Sequence, residues 1–455
     1  MAGNLSIEFC YVKIKVVVRT LSFMKKIRVR IAPSPTGLAH VGNIYIALFN
    51  FAFARQNKGR FILRIEDTDV KRHVPEAERV IYEAFQWLGL KYDEGPDIGG
   101  DCGPYRQSER LNLYQQYSQQ LVEKGLAYPK DGAIWFKVPE GKTSWEDLVR
   151  GKIEFENHQI KDFVILKSDR YPSYNFAVVI DDWLMKISHV IRAEEHISNT
   201  PRQIMIYEAL KAPLPKFAHL PLLRNQDHSK ISKRKNPIAI SWYQQQGYLP
   251  EALINFLCLL GWSHPQGKDV FSISEFIKYF SFERISKSAP IFDFKKLDWL
   301  NGVYIRQKSD KELLKLIKPF ADQKMSESLI AKTIPLVKER LVKFSDFSGM
   351  VDYFIKEPKV DLKLLLEKGG KDPKVIKEEL EKVLEEVGKL KWTRNDLENF
   401  FRNLAQKENY HLGKFFMAVR IALTGKTATP PLFETMEILG KEKTLSRLRK
   451  VIKIL

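Results

Sequence analysis

The segment Arg30-Ile31-Ala32-Pro33-Ser34-Pro35-Thr36-Gly37-Leu38-Ala39-His40-Val41-Gly42-Asn43 puts an imidazole and a glycine where a strand-like run (Ile27, Val29, Ile31) gives way to a helix-like one (Ile44 to Gln56). A polar ring and a small residue at a helix start let a polyphosphate approach the free backbone N–H groups there. Far downstream, Lys230-Ile231-Ser232-Lys233-Arg234 follows another apolar run, Phe217 to Leu223. Two lysines in one loop can neutralise phosphate charge as it builds during a displacement. Arg30 and Arg192 offer planar guanidiniums that pair bidentately with a carboxylate. Taken singly, His40 reads as a turn residue, the lysines as a solvated charge run, and Glu66 as a surface acid. One chain carries all of them in order.

The elements that must position these residues follow from periodicity. From Lys25 to about Tyr92 the pattern is strand, helix, strand, helix, and the second strand, Phe61 to Ile65, ends in Glu66-Asp67-Thr68-Asp69. Carboxylates at the C-terminal end of a parallel strand sit where α/β folds hold ligands. Between about Arg110 and Val190 a helix-like run (Leu111 to Lys124) and short strands around 133–138, 153–156 and 163–167 interrupt the alternation, which reads as an inserted small domain. Val190-Ile191-Arg192-Ala193-Glu194-Glu195-His196 then runs into Ser198-Asn199-Thr200-Pro201, a helix start with Asn199 or Thr200 as N-cap. Trp242 to Trp262 reads as amphipathic helix. From about Lys308 to Leu455 helical periodicity dominates, punctuated by Pro358, Gly369-Gly370, Pro373 and Pro430-Pro431.

The His-x-Gly-x and Lys-x-Ser-Lys-x segments resemble the two signatures of class I aminoacyl-tRNA synthetases. The surrounding wording, RIAPSPTG, RFILRIEDTD, GPYRQSER, VIRAEEHISNTPRQ and KISKR, is similar to that of glutamyl-tRNA synthetases of bacterial type. The resemblance runs from about Lys25 to the C-terminus and is specific through Arg306. It implies an α/β Rossmann-type nucleotide-binding domain split by a small α+β insert and followed by an all-α C-terminal anticodon-binding region. The expected divisions are an extension (1–24), a first catalytic half (25–110), a shortened acceptor-end insert (111–191) and a second catalytic half (192–235). A stem-contact domain (236–308) and two helical anticodon-binding subdomains (309–370 and 371–455) complete the chain.

The resemblance also implies roles. His40, Gly42, Lys230 and Lys233 are the expected catalytic residues, with Lys233 first in line to contact departing phosphate. Arg30, Ile31, Ala32, Ser34, Glu66, Tyr174 and Arg192 match the glutamate site, with Arg30 favoured as the side-chain reader. Glu195 and Leu223 match positions that hold adenosine, and Ile231, Ser232 and Arg234 complete the ATP-binding loop. Arg340 matches an anticodon-reading arginine of relatives strict for glutamate tRNA. The implied substrates are L-glutamate, ATP with Mg2+, and tRNA-Glu, and glutamate activation is expected to depend on tRNA. The insert passes within a few residues from Tyr128 to Ile134-Trp135-Phe136, with no cysteine-bearing zinc knuckle, so no structural zinc is expected.

Bulk properties bound the alternatives. At 455 residues, about two to four domains are expected. A net charge of +19 and a pI near 9.5 point toward a polyanionic partner. Cys10, Cys102 and Cys258 are too scattered for a disulfide framework or a zinc cluster, which suits the reducing cytoplasm. No apolar run approaches the roughly 20 residues that span a bilayer, and a monomer is expected. Residues 1–23 alternate like a strand yet lack the features of a targeting signal, and Met24-Lys25-Lys26 reads as a natural start. A glutaminyl-tRNA synthetase would carry β-barrels instead of a helical tail, and a tRNA-modifying glutamyl transferase would end soon after the lysine loop. An enzyme that also charges tRNA-Gln and an inactive tRNA-binding module are the remaining alternatives.

Overall fold

The computed structural model describes residues 26–35, 37, 39–69, 74, 76–229, 231, 237–370 and 372–455. The expected N-terminal extension lies outside the described residues, as do Lys230, Ser232, Lys233 and Arg234. The chain forms two compact units, one of residues up to Trp242 with Pro250–Phe294, the other of Tyr243–Leu249 with Lys295–Leu455.

In the first unit, β1 (Arg28–Ile31), α1 (Val41–Gln56) and β2 (Arg60–Leu63) form a β-α-β crossover. β1 and β2 pair in parallel, from Arg28 opposite Arg60 to Ile31 opposite Leu63. Parallel pairing requires such a crossover. α1 is apolar on nearly every face and buried on nearly every face, as befits a helix enclosed by other elements. It packs against the strands and against the helices Pro250–Gly261 and Ile273–Tyr279. Phe49 meets Phe276 and Phe280 edge-on, with centroids 5.7 and 6.0 Å apart.

The crossover is followed by α2 (Ala77–Trp87), α3 (Leu111–Glu123) and seven further strands: β3 (Ala127–Lys130), β4 (Ala133–Phe136), β5 (Lys142–Asp147), β6 (Gly151–Glu156), β7 (Phe163–Leu166), β8 (His189–Ala193) and β9 (Lys216–Leu220). Helix α4 (Tyr174–Leu184) precedes β8, and α5 (Thr200–Leu210) links β8 to β9. β8 and β9 are parallel. β8 is set beside β1 by Ser188, whose N–H donates to the Arg28 carbonyl and whose hydroxyl accepts from the Arg28 N–H, both at 2.9 Å. β1-β2 and β6-β5-β9-β8 are separate hydrogen-bonded sheets, and the ends of β1, β2, β8 and β9 converge on one rim where residues on or just beyond each line a common cavity.

The insert differs from the sequence reading. β3, β4 and β7 form a separate antiparallel sheet, which shares a core with α3, α4 and α5 through Tyr114, Phe136, Ile165, Phe176 and Ile206. The β5–β6 hairpin instead joins the nucleotide-binding sheet in the order β6-β5-β9-β8. Trp145 stacks on Phe155 (6.0 Å) and meets Phe217 of β9 edge-on (6.5 Å), so the hairpin's apolar face packs onto β9. Periodicity does not single out β5, because Lys-Thr-Ser-Trp-Glu-Asp has a single large apolar residue.

The second unit is helical throughout its C-terminal part, as the periodicity implies. The helical run expected from Trp242 to Trp262 divides into Ile240–Gln246 and Pro250–Gly261. Gly247 has φ +76°, and a Cβ there would lie 2.5 Å from the Phe344 Cβ, so the break needs glycine. Leu362–Gly369 packs on Leu412–Thr424 and shares the core built around Leu380, Phe401 and Phe415. It thus belongs with the helices after residue 370, beyond the division read from Gly369-Gly370. Glu379 lies in this packed region, only 6% exposed, with Oε2 lacking a hydrogen-bond partner. Burial pushes its carboxyl up to about 7.

A raised carboxyl stays protonated in the folded protein after the unfolded chain has ionised. Its burden is therefore absent below the ordinary value of 4.5 and grows as pH rises toward 7. Glu379→Gln should stabilise the protein by about 1–2 kcal/mol near pH 8 and have no effect near pH 4, read as urea midpoints at the two pH values.

Candidate active site

His40 is the N-cap of α1, and its Nδ1 accepts from the Gly42 N–H at 2.9 Å. In a neutral ring an accepting Nδ1 puts the N–H donor on Nε2. A Cβ on residue 42 would lie 3.1 Å from Nδ1, so glycine is what lets the ring close over the helix start. The expectation of free N–H groups at this turn is corrected. Val41 donates to the Ile238 carbonyl (2.7 Å), and Asn43 and Ile44 both donate to the His40 carbonyl (2.9 and 3.2 Å). Those groups are consumed in capping the helix and in tying it to Ile238.

One cavity of about 430 Å³ opens at the common strand rim. Ile31, Ala32 and Ser34 line it from the exit of β1, with Arg30 on the strand itself. His40 and Gly42 line it from the helix start, Glu66 from beyond β2, and Tyr174 from α4. Arg192 and Glu195 come from the end of β8, Leu223 from beyond β9, and Ile231 from the lysine segment. Ile238, on the far flank of that segment, lines it too. Residues some 200 positions apart in sequence thus share a single hollow. Arg340 lies in the other unit, exposed, with Nη1 donating to the Thr429 carbonyl at 2.8 Å.

Several residues that sequence reasoning did not single out hold the site. Asp182 of α4 takes Arg30 through Nε and Nη2 (3.0 and 3.2 Å) and Arg64 through Nη1 (2.7 Å). Arg64 is wholly buried and also donates to Glu66 (3.1 Å). Asp181 accepts from Arg110 (2.6 Å), Gln107 (2.8 Å) and Tyr114 (3.0 Å). Burial alone would raise the Asp182 carboxyl, but the Arg30 and Arg64 guanidiniums hold it below its ordinary range. At Glu66 burial prevails over Arg64 and Arg30, and its pKa is raised. The only advance signal for Asp181 and Asp182 was their place as an acidic pair closing an otherwise apolar run, Phe176 to Ile180.

Arg192 is held differently. Its Nε donates to Nε2 of His219 (3.2 Å) and its Nη2 to the Thr200 hydroxyl (2.9 Å). Nη1 is buried with no hydrogen-bond partner, and none of the ion pairs among the described residues includes Arg192. Burial lowers its pKa, the expected direction for a cation removed from water without a counter-charge. Burial, with Arg192 nearby, takes His196 down to about 4. The ring is therefore neutral at pH 7, and its Nδ1 accepts from the Asn199 amide and the Tyr174 hydroxyl, each at 3.3 Å.

A parallel-sheet rim that brings a capping imidazole, an anion-seeking arginine and the flanks of a lysine segment into one hollow defines a nucleotide-dependent class I synthetase fold. The profile of the catalytic domain of class I tRNA synthetases (E and Q) matches residues 26–133 and 129–299, and that of an anticodon binding domain matches 312–452. The chain belongs to this glutamyl and glutaminyl (E and Q) family of class I tRNA synthetases. A glutamate–tRNA ligase of Thermus thermophilus is 42% identical over 470 residues, covering 93% of this chain and 99% of that one. Glutamate–tRNA ligase 1 of Syntrophomonas wolfei is 42% identical over 482 residues, covering 94% and 97%. A crystal structure of a glutamate tRNA ligase from Elizabethkingia meningosepticum, in complex with its amino acid, has a TM-score of 0.87 at 31% identity, covering 94% of this chain and 100% of that chain. No helix among the described residues is long and apolar enough to cross a membrane.

Removing Asp182 would leave two buried guanidiniums without their shared anion. Asp182→Ala should cost about 3–5 kcal/mol at neutral pH. A depressed carboxyl contributes stability above its unfolded value, ordinarily 3.8, and loses it as pH falls through the lower folded value. The gap between wild type and variant in urea midpoint should therefore narrow below about pH 4.

Proposed function

We propose that the chain is a glutamate–tRNA ligase, which joins L-glutamate to ATP as glutamyl-adenylate and then transfers it to the 3′ end of tRNA-Glu. The observation that carries this reading is Arg192, a buried cation facing the cavity with one nitrogen unpartnered and no carboxylate against it. A substrate carboxylate is the missing counter-charge. The names of the relatives and the amino-acid complex of the structural neighbour support the same choice of substrate.

In this reading the α-carboxylate oxygen of glutamate attacks the α-phosphorus of ATP, forming the mixed anhydride as the bond to pyrophosphate breaks. A ribose hydroxyl of the tRNA end then attacks the acyl carbon, loses its proton and releases AMP. Neither step needs a nucleophile from the protein; the chain aligns reactants and stabilises developing charge. His40 offers an Nε2–H donor toward the phosphates at the α1 start. Lys230 and Lys233 neutralise the departing pyrophosphate, and Ser232 and Arg234 complete that loop. Glu195, Leu223 and Ile231 hold the adenosine side. Ile31, Ala32, Ser34, Glu66 and Tyr174 enclose glutamate, and Arg30 and Arg192 read its charge. Mg2+ arrives bound to the ATP phosphates; among the described residues no three His, Cys, Asp or Glu side chains gather to hold a metal.

A guanidinium accepts a carboxylate bidentately but meets the amide of glutamine donor against donor. Arg30 already gives Nε and Nη2 to Asp182, which favours Arg192 as the principal reader. Glutamate-dependent ATP–pyrophosphate exchange, with tRNA-Glu present, tests the reading directly. Arg192→Met should lower kcat/KM for glutamate by about 100-fold or more, the loss of a charge-assisted pair in a buried site, with a smaller loss for Arg30→Leu. Exchange driven equally by glutamine would refute it. Arg340 supports strict charging of tRNA-Glu: a tRNA-Gln transcript should charge poorly, and Arg340→Gln should relax that preference.

A further inference from the structure

The support behind Arg192 comes from the hairpin that the sequence assigned to the insert. Asp147, the last residue of β5, pairs with Phe217 of β9 at the one point where the two strands meet, and Leu148 donates to the Phe217 carbonyl at 2.9 Å. At that point Oδ2 of Asp147 meets Nδ1 of His219 at 2.5 Å, with both side chains wholly buried. Oδ1 accepts from the backbone N–H groups of Val149 (3.1 Å), Arg150 (3.0 Å) and His219 (3.2 Å). The His219 ring stacks on Phe217 with 10° between the planes, and Trp145 packs on it at 6.4 Å.

The donors fix the tautomer. Arg192 Nε carries a proton and has none to lose, so His219 Nε2 must accept from it. The ring proton is then on Nδ1 and donates to Asp147. Burial favours the neutral ring, and burial with Arg192 outweighs the pull of Asp147, so the His219 pKa falls. Burial would raise the Asp147 carboxyl, but its hydrogen bonds to His219 and to the backbone hold it down. The chain carboxylate, neutral imidazole, guanidinium is thus consistent from end to end. Nε is committed to His219 and one Nη2 N–H to Thr200, while Nη1 has no hydrogen-bond partner.

We propose that Asp147 and His219 are positioning residues for the amino-acid site: through one fixed tautomer they hold the Arg192 guanidinium at the cavity wall, where it meets the substrate carboxylate. This rests on the glutamate–tRNA ligase reading. Asp147→Asn keeps an oxygen for the three backbone donors but turns an amide N–H toward His219. The ring must then carry its proton on Nε2, against the Arg192 Nε–H. His219→Leu removes the acceptor altogether. His219→Gln can return an oxygen to it.

The test measures ATP–pyrophosphate exchange with tRNA-Glu present, giving KM for glutamate and KM for ATP separately in the full-length protein. Asp147→Asn and His219→Leu should raise KM for glutamate about 10- to 100-fold, the range produced when the support behind a ligand-holding side chain is lost. KM for ATP should stay within about twofold of wild type, and His219→Gln should recover most of the glutamate affinity. An unchanged glutamate KM in both variants, with wild type active on glutamate, overturns the positioning role alone. So does a matched rise in both KM values, which marks general damage, or a His219→Gln variant as impaired as His219→Leu. If Asp147→Asn or His219→Leu does not fold, the decision passes to Thr200→Val. It removes the hydroxyl on Nη2 and should raise the glutamate KM by a smaller factor; no rise overturns the proposal. A wild-type protein inactive with glutamate overturns the ligase reading itself.

Discussion

The site depends on an imbalance of buried charge. Arg30, Arg64, Arg110 and Arg192 gather around Glu66, Asp181 and Asp182, and three of the four arginines have a carboxylate in contact. Arg192 has an imidazole and a hydroxyl instead. Taking a cation out of water without an anion is costly, and the fold tolerates it because neighbours satisfy two of the guanidinium's three nitrogens. Under the proposed function, the remaining deficit is what the carboxylate of an acidic substrate would relieve.

The same carboxylates decide the architecture around the pocket. Asp181 and Asp182 lie in the last turn of α4, and between them they reach β1, the exit of β2, and the Gln107 to Tyr114 segment. The inserted material therefore cannot be lifted out as an independent module. Its β5–β6 hairpin joins the order β6-β5-β9-β8, while α4 packs its apolar face with β3, β4 and β7 and ties to β1 through Asp182 and Arg30. The boundary between the two follows hydrogen bonding and apolar contact, and it does not coincide with order along the chain.

That difference explains what could be read in advance. The turn through His40 and Gly42 was legible because its geometry is local: cap, glycine and helix lie within a few residues. The strands bearing Arg30 and Arg192, and the one leading to Glu66, were legible from apolar runs ending in polar residues. The helical tail was legible from its periodicity. Arg192's support was not, because His219 is 27 residues away and Asp147 is 72 residues from His219. No short-range pattern marks a histidine in an apolar strand as the neighbour of either. The hairpin was misassigned for a related reason: a strand with one large apolar residue acquires its place only when Phe217 arrives to pack on it.

Helix α1 has a consequence for biosynthesis. Its aromatic flank, Phe49 and Phe53, is covered by Phe276, Phe280 and Phe282, which the ribosome adds much later. At about 5–20 residues per second, roughly 230 intervening residues take on the order of 10–45 s to make. Over that interval α1 can pack on β1, β2 and β8, but its aromatic flank lacks the cover that Phe276, Phe280 and Phe282 later supply. Vectorial synthesis thus leaves the aromatic flank of residues 41–56 open to other polypeptides until the later phenylalanines emerge.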